Sequence, residues 1–193
     1  MHNLHGPTIA ARQANKAVDS GEELIRFRLY RAIIKTAQGD GQMAMTMTGE
    51  AILPALQADV WAKLNDPAVL KACIPGCQSL ETTEDNGFVA VAKVKLGPVS
   101  ATFKGKVVLS DIDAPNSYKI SGEGEGGVAG FAKGGAVVRL ETVPEGTKLS
   151  YDVEAQIGGK LAQLGGRLIN GVAKKMADEF FANFAKEVGG TPA

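Results

Sequence analysis

The sequence lacks the features that mark several large classes of protein. No apolar run approaches the roughly 18 uncharged residues that a membrane-spanning helix needs, and the start, MHNLHGPTIAARQAN, lacks the continuous apolar segment of a secretory signal. Equal numbers of basic and acidic residues, 21 of each, leave no net charge to attract nucleic acid. We therefore expect a cytoplasmic protein without a nucleic-acid partner.

Residues for metal or hydrolytic chemistry are also scarce. The two histidines, His2 and His5, stand at the start of the chain, and neither G-x-S-x-G nor H-E-x-x-H occurs. Cys73 and Cys77 surround a Pro-Gly turn with three residues between them, which is not the C-x-x-C spacing of thiol redox proteins. We predict no catalytic residue, no metal site and no cofactor, and we interpret the cysteines as reduced thiols in a lid segment.

Two further patterns resemble functional motifs without the right context. Residues 122–127, GEGEGG, satisfy the dinucleotide fingerprint G-x-G-x-x-G, but that motif needs a following helix and a strand is predicted here. Asp111 and Asp113 have inward parity at the end of a predicted strand, where solvent is near. We interpret the glycines as strand ends or bulges and the carboxylates as solvated.

Residues 1–42 differ from the rest of the chain and are predicted to be an N-terminal extension. Ser20 and Glu23 fit a capping box, and apolar residues recur among arginines, which predicts an amphipathic helix over 20–36. Such a basic helix can lie on an anionic membrane, dock on a partner or pack on its own domain. A methionine just after the extension as the natural start is a further alternative.

From Met45 the pattern changes to alternation with a period of two residues. TMTGEAIL predicts a first strand, and a helical interlude follows, in which Asn65 or Asp66 can cap a helix that Pro67 starts. Runs such as FVAVAKVKL and VSATFKGKVVL then alternate apolar and polar residues between Gly/Pro turns. These runs predict an antiparallel meander with one dry face, in an α+β domain at 45–188 with two short helices after the first strand.

A long C-terminal helix is predicted to cover the dry face. KLAQLGGRLINGVAKKMADEFFANFAKEV carries apolar residues at helical spacing over about 29 residues. Its first half is thin, and so is the facing sheet, where small residues predict an apolar cavity rather than close packing. The small residues are Ala162, Gly165, Gly166, Gly171 and Ala173 on the helix, and Ala90, Ala92, Ala101 and Gly105 on the sheet.

Parity and helical face select the predicted walls of this cavity, with LNDPAVLKACIPGC as its lid. The predicted ligand-binding residues are Leu70, Ile74, Val94, Phe103, Tyr151, Leu164, Gly165, Leu168 and Val172. We expect Gly165 to mark open volume, so that a leucine there would fill the cavity at no cost in stability.

The sequence resembles the CoxG family, that of the carbon monoxide dehydrogenase subunit CoxG, within the START-like, SRPBCC helix-grip superfamily. The resemblance rests on VWAKLNDPAVLKACIPGC, VKLGPVSATFKGKVVL, GEGEGGVAGFAKGGAVVRL and GTKLSYDVEAQIGGKLAQLGGRLI, in that order, and covers about Met45 to Val188. It implies a curved antiparallel sheet of about seven strands around a long C-terminal helix.

The resemblance also implies a function. Such proteins are non-catalytic accessories that bring a molybdenum hydroxylase of the CO dehydrogenase type to the cytoplasmic membrane and its quinone pool. Helix-grip relatives hold lipids, sterols, quinones and similar apolar molecules. The expected partners are therefore an apolar lipid- or quinone-like molecule and such a hydroxylase. Many family members continue into a membrane-associating tail, whereas this sequence ends in GGTPA, which leaves peripheral contact with the inner face of the membrane open.

Two alternatives remain at this point. A cavity of the same kind could serve an enzyme, such as a cyclase or hydrolase, and the domain could also be a docking adaptor without a ligand. An enzyme needs convergent polar groups deep in the pocket, a carrier needs an almost wholly apolar pocket, and an adaptor needs none.

Overall fold

The structure of the protein is a computed structural model that describes residues 41–189. It contains seven strands and four α-helices in these residues. The strands are β1 Met43–Leu53, β2 Cys77–Thr83, β3 Gly87–Leu96, β4 Val99–Asp113, β5 Ser117–Glu125, β6 Phe131–Val143 and β7 Gly146–Gly158. The helices are α1 Gln57–Leu64, α2 Pro67–Cys73, α3 Lys160–Gln163 and α4 Gly166–Gly189. A single 3₁₀ turn, Gly127–Ala129, lies between β5 and β6.

All seven strands form one antiparallel sheet in the order β1-β7-β6-β5-β4-β3-β2. The meander from β2 to β7 is sequential, and β1 returns to pair with β7, so that the first strand adds to the far edge. The sheet curves around α4, which contacts β1 on one side and β3 on the other. The predicted α+β helix-grip fold is confirmed, including the two short helices after β1.

The alternating pattern of the sequence sets which face of the sheet is dry. In the β3–β4 pair, Ala90 lies opposite Gly105 with both half-buried, whereas Lys93 lies opposite Thr102 with both exposed. Because successive side chains point to opposite faces of a strand, each inward residue places its two neighbours in water. The parity derived from the sequence therefore holds across the meander.

The C-terminal helix differs from the prediction in one respect. The sequence predicts one continuous helix from 160 to 188, but the structure has a short helix, α3, followed by the long α4. The break falls at Gly165, whose φ of +82° is left-handed and disfavours any side chain. The amide of Ile169 donates to the Gly165 carbonyl oxygen at 3.2 Å, which starts the new helix. At 24 residues, α4 spans about 36 Å.

The predicted N-terminal extension falls almost wholly outside the described residues. The helix proposed for 20–36 lies there, as does the whole chain up to residue 40. The boundary of the extension at 42 therefore stays a prediction.

Candidate functional site

Two buried apolar clusters lie at opposite ends of the space between the sheet and α4. The lid cluster joins the C-terminal end of α4 to α1 and α2, and consists of Leu53, Val60, Leu64, Cys73, Tyr118, Val138, Leu140, Leu149, Phe184 and Val188. The tip cluster lies at the other end, where α4 begins, and consists of Leu96, Ile157, Leu161 and Ile169. These clusters close the two ends of the interior.

Between the clusters, the sheet presents a row of very small residues. Ala90 lies opposite Gly105, Gly105 opposite Gly124, and Gly124 opposite Ala132, so that one row crosses four strands. We call these four residues the small-residue floor. All four point inward by parity, yet each is only half-buried. In a close-packed interior such residues would be fully covered, so the half-burial indicates space above them.

The helix above the floor is also lightly covered. Between Ile169 of the tip cluster and Phe184 of the lid cluster, the half-buried residues of α4 include Val172, Ala173, Met176 and Ala177. Two alanines among them add little volume. Floor and helix together form an apolar space of the kind that holds small hydrophobic ligands.

The glycines of the sheet divide into two physical classes. A β-carbon on Gly122 would lie 2.5 Å from the carbonyl oxygen of Lys106, so the tight approach of neighbouring strands requires glycine there. A β-carbon on Gly124 would meet nothing nearer than 3.7 Å, and one on Gly105 nothing nearer than 3.3 Å. The first class builds the curvature of the sheet, and the second leaves room in the interior.

Four of the nine predicted wall residues lie together at the tip end of this space. Val94, Phe103, Leu164 and Val172 all pack against the tip cluster. The Phe103 ring lies against Gly126, in the loop before β6, where any side chain would collide with it. These four residues come from β3, β4, the residue after α3, and α4, and the sequence identified them by parity and helical spacing alone.

The other predicted residues are more dispersed. Tyr151 packs against the lid cluster, and its ring stacks on Phe181 with centroids 5.4 Å apart. Leu70 and Ile74 are half-buried in and just after α2. The structure therefore distributes the predicted walls over both ends of the interior, instead of around one point.

The region of the helix break changes the interpretation of its small residues. A β-carbon on Gly165 would meet nothing within 4 Å, but the positive φ means that a leucine there would be strained, so it is not a neutral cavity-filling substitution. Gly171 is exposed, so it leaves no space in the interior. Leu168 is 37% exposed and lies against Gly97 in the β3–β4 turn.

The lid is held by a helix cap that the sequence predicted. The Asp66 carboxylate accepts hydrogen bonds from the amides of Ala68 at 2.8 Å and Val69 at 3.3 Å, and Pro67 occupies the first turn of α2. Of the two predicted caps, Asn65 and Asp66, the second is confirmed. A cap of this kind contributes about 1 kcal/mol to the helix.

A second attachment of the lid was not visible in the sequence. The Gln57 side-chain amide, at the start of α1, donates to the Pro115 carbonyl oxygen at 3.1 Å, to Asn116 Oδ1 at 3.0 Å and to the Leu140 carbonyl oxygen at 3.4 Å. Its oxygen accepts from Thr142 Oγ1 at 2.8 Å. One side chain thus joins α1 to the β4–β5 turn and to β6. A lone glutamine at a helix start gives no sequence signal for such distant partners.

We expect Gln57→Leu to destabilise the protein by about 1–3 kcal/mol, since it leaves several part-buried polar atoms without their partner. Thr142→Val removes only one of the hydrogen bonds and is expected to cost about 0.5–1.5 kcal/mol. Urea unfolding followed by the fluorescence of Trp61, which lies on α1, measures both. Equal midpoints for Gln57→Leu and the unchanged protein would show that the attachment contributes nothing.

The two cysteines lie at the end of the lid as free thiols. Cys73 is fully buried in the lid cluster, and Cys77 donates a hydrogen bond to the Ser79 carbonyl oxygen at 3.4 Å. Burial raises the pKa of both thiols, which favours the unreactive protonated form. The turn between them is fixed by Gly76, whose φ is +75° and whose carbonyl oxygen accepts from the Lys93 amide at 2.9 Å.

The polar residues that the sequence singled out lie outside the apolar space. Asp111 and Asp113 are exposed, as predicted. The segment 122–127 runs from β5 into the 3₁₀ turn and then β6, so the strand-to-helix context of a dinucleotide site is missing. Of the polar groups in the interior, Thr147 donates to the Ala55 carbonyl oxygen at 2.8 Å. Burial raises the pKa of Tyr118, in the lid cluster, to about 12.

Residues 41–189 contain neither a metal-binding cluster nor a membrane-spanning helix. No group of three or more histidine, cysteine or acidic side chains in this part of the chain is placed to hold a metal ion. None of the helices between these residues combines the length and apolarity needed to cross a bilayer.

Comparison with known proteins agrees with this geometry. Residues 49–189 match the family described as the carbon monoxide dehydrogenase subunit CoxG. A conserved protein of Geobacillus kaustophilus has a similar crystal structure, with 33% identity, a TM-score of 0.69, and coverage of 76% of this chain and 95% of that one. No match was found among curated proteins.

More distant structures share the fold. A protein of Rhizobium leguminosarum has 16% identity and a TM-score of 0.58, with coverage of 75% of this chain and 97% of that one. The di-domain ARO/CYC protein BexL of the BE-7585A biosynthetic pathway has 13% identity and a TM-score of 0.57, with coverage of 94% and 61%. Since the family match covers most of the chain, the protein belongs to the family of the carbon monoxide dehydrogenase subunit CoxG and has its START-like helix-grip fold.

Proposed function

We propose that the protein is a non-catalytic accessory of a CO dehydrogenase-type molybdenum hydroxylase, and that it binds an apolar lipid- or quinone-like molecule between the sheet and α4. The family description supports the accessory role. The observation that supports the ligand is the interior between the two clusters, where inward-facing residues are small, apolar and only half-buried.

The chemistry of that interior favours a carrier. The small-residue floor consists of glycine and alanine, and the residues of α4 above it are Val172, Ala173, Met176 and Ala177. None of these side chains can donate or accept a proton, so they provide no acid, base or nucleophile. An elongated apolar molecule would instead gain affinity through burial of its surface. Similarity to BexL at 13% identity shows the fold and does not favour a cyclase.

Native mass spectrometry of the full chain tests the ligand proposal. The purified protein is expected to carry one apolar molecule per chain, and mild solvent extraction is expected to remove it. The extracted protein is then titrated with decylubiquinone, with quenching of Trp61 fluorescence as the readout and a tail-less benzoquinone as the matched control. Binding of the tailed compound only is the expected result. Equal binding of both compounds, or of neither, would contradict an apolar site and favour the adaptor alternative.

The partner proposal has a separate test. The full chain, attached to a resin, is expected to retain a molybdenum hydroxylase of the CO dehydrogenase type from an extract of the same cells, with molybdenum measured in the eluate. An eluate that contains no more molybdenum than a bare resin would contradict the accessory role and leave the ligand proposal intact.

A further inference from the structure

The charges of the described domain are separated along the strands, although the whole chain is neutral. Three segments meet at the tip end, 93–101, 125–133 and 158–168. They contain Lys93, Lys95, Lys133, Lys160 and Arg167 but only one carboxylate, Glu125. The turns at the lid end have the opposite composition, with exposed Glu84, Asp85, Asp111, Asp113, Glu141 and Glu145. The tip is therefore the basic pole of the domain.

The basic side chains of the tip are also unpaired. The ion pairs of the described residues involve Lys106, Lys119, Arg139, Lys148, Lys174 and Lys175. Lys95, Lys133, Lys160 and Arg167 are all exposed and have no ion-pair partner within residues 41–189. Cations elsewhere on the domain are partly neutralised by neighbouring carboxylates, whereas those of the tip are available to an external anion.

Apolar side chains project from the same end. Val128 is 86% exposed, and Leu168 is 37% exposed. Val128 lies in the 3₁₀ turn beside Ala129, which is only 3% exposed, and the Gly126 amide closes the loop by donating to the Gly130 carbonyl oxygen at 2.8 Å. This loop is anchored by its buried alanine and presents its valine outward. Such a side chain lowers its free energy by entering an apolar medium.

Basic and apolar groups side by side match the surface of an anionic bilayer. Phosphate headgroups attract lysine and arginine, while short apolar side chains reach the acyl boundary. The tip also lies directly over the end of the interior where Val94, Phe103 and Leu164 pack. An apolar ligand that leaves the bilayer at this point would enter the interior without crossing the acidic pole.

From these observations we infer that the domain docks on anionic membranes through its tip face, which consists of Lys95, Val128, Lys133, Lys160, Arg167 and Leu168. The inference deepens the proposed function and rests on it only for ligand exchange, because it names the membrane surface through which the ligand would move. Docking itself requires no ligand.

Vesicle co-sedimentation of the full chain tests the inference. The protein is expected to bind vesicles of phosphatidylcholine with 30 mol% phosphatidylglycerol, and not vesicles of phosphatidylcholine alone. Lys160→Glu with Arg167→Glu is expected to weaken binding at least tenfold, since each basic group near an anionic surface contributes several-fold to affinity. Val128→Asp is expected to weaken it several-fold. Lys174→Glu with Lys175→Glu, on exposed positions of α4, makes the same charge change and is expected to have a smaller effect.

The outcomes separate this inference from the proposed function. Decylubiquinone binding in solution is measured on every variant and is expected to be unchanged by the tip substitutions. Unchanged vesicle binding in both tip variants would overturn the inference and assign any binding to another region, such as the basic segment at 20–36. Equal losses in the tip and control pairs would also overturn it, since they would indicate a general charge effect. Loss of quinone binding with vesicle binding intact would contradict the ligand proposal alone.

Discussion

Gly124→Leu is expected to weaken binding of a tailed quinone more than tenfold while the protein stays folded. Gly124 is the inward residue of β5 in the middle of the small-residue floor, and a β-carbon there has its nearest neighbours at 3.7 Å. A leucine would extend from this position into the space that we assign to the ligand. Because it fills apolar volume, the free energy of unfolding should stay constant or rise by up to about 1.5–3 kcal/mol.

Ser121→Leu is the matched control for this substitution. Ser121 is exposed on the same strand and faces the opposite side of the sheet, so the same side chain enters water instead of the interior. We expect quinone binding to be unchanged in this variant. Quinone titration by Trp61 quenching and urea unfolding of both variants give the two readouts. A Gly124→Leu protein that binds normally, or one that unfolds, would show that there is no ligand space above the floor.

The comparison of Gly122 with Gly124 shows where sequence reasoning ends. Both glycines have the same parity on β5, and the sequence treats them alike. Their difference lies in how closely the neighbouring strand approaches, 2.5 Å from a β-carbon at 122 to the Lys106 carbonyl oxygen and 3.7 Å for the nearest atoms at 124. This distance depends on the curvature of the whole sheet, which no local pattern encodes.

Most of the architecture was predictable because it depends on short-range periodicity. Alternation in 88–96 and 99–109 set the inward face of β3 and β4, and Asp66 with Pro67 located the start of α2. The helix break was missed because Gly165 also fits the apolar spacing of a continuous helix, and only its positive φ distinguishes the two conformations. Spacing of three or four residues fixes a face and does not fix a dihedral angle.

The charge separation was hidden for a different reason. Summation over the chain gives zero, from which the sequence indicated no attraction for charged partners. Antiparallel pairing then brings Lys95, Lys133 and Lys160 to one end and Glu84, Asp111 and Glu145 to the other. Net charge describes the field far from the molecule, whereas a docking surface depends on which loops the topology places together.

Phe184→Ala is expected to destabilise the protein by about 3–5 kcal/mol, more than any other substitution proposed for this domain. Phe184 is fully buried at the centre of the lid cluster, and its ring stacks on Phe180 with centroids 5.6 Å apart. Its removal leaves a cavity among residues from α1, α2, α4 and four strands that cannot collapse together. Met176→Ala, two turns earlier on the same helix, is the matched comparison.

Met176 is half-buried over the small-residue floor, where neighbouring atoms are fewer. Its truncation should cost less than about 2 kcal/mol, since the transfer and cavity contributions both scale with lost contact. It should weaken quinone binding several-fold, because the ligand loses part of its wall. Phe184→Ala should leave the affinity of the folded fraction unchanged. Denaturation midpoints combined with quinone titrations distinguish these patterns. Equal stability losses at the two positions would mean that the middle of the interior is as closely packed as the lid cluster, which would leave no room for a ligand.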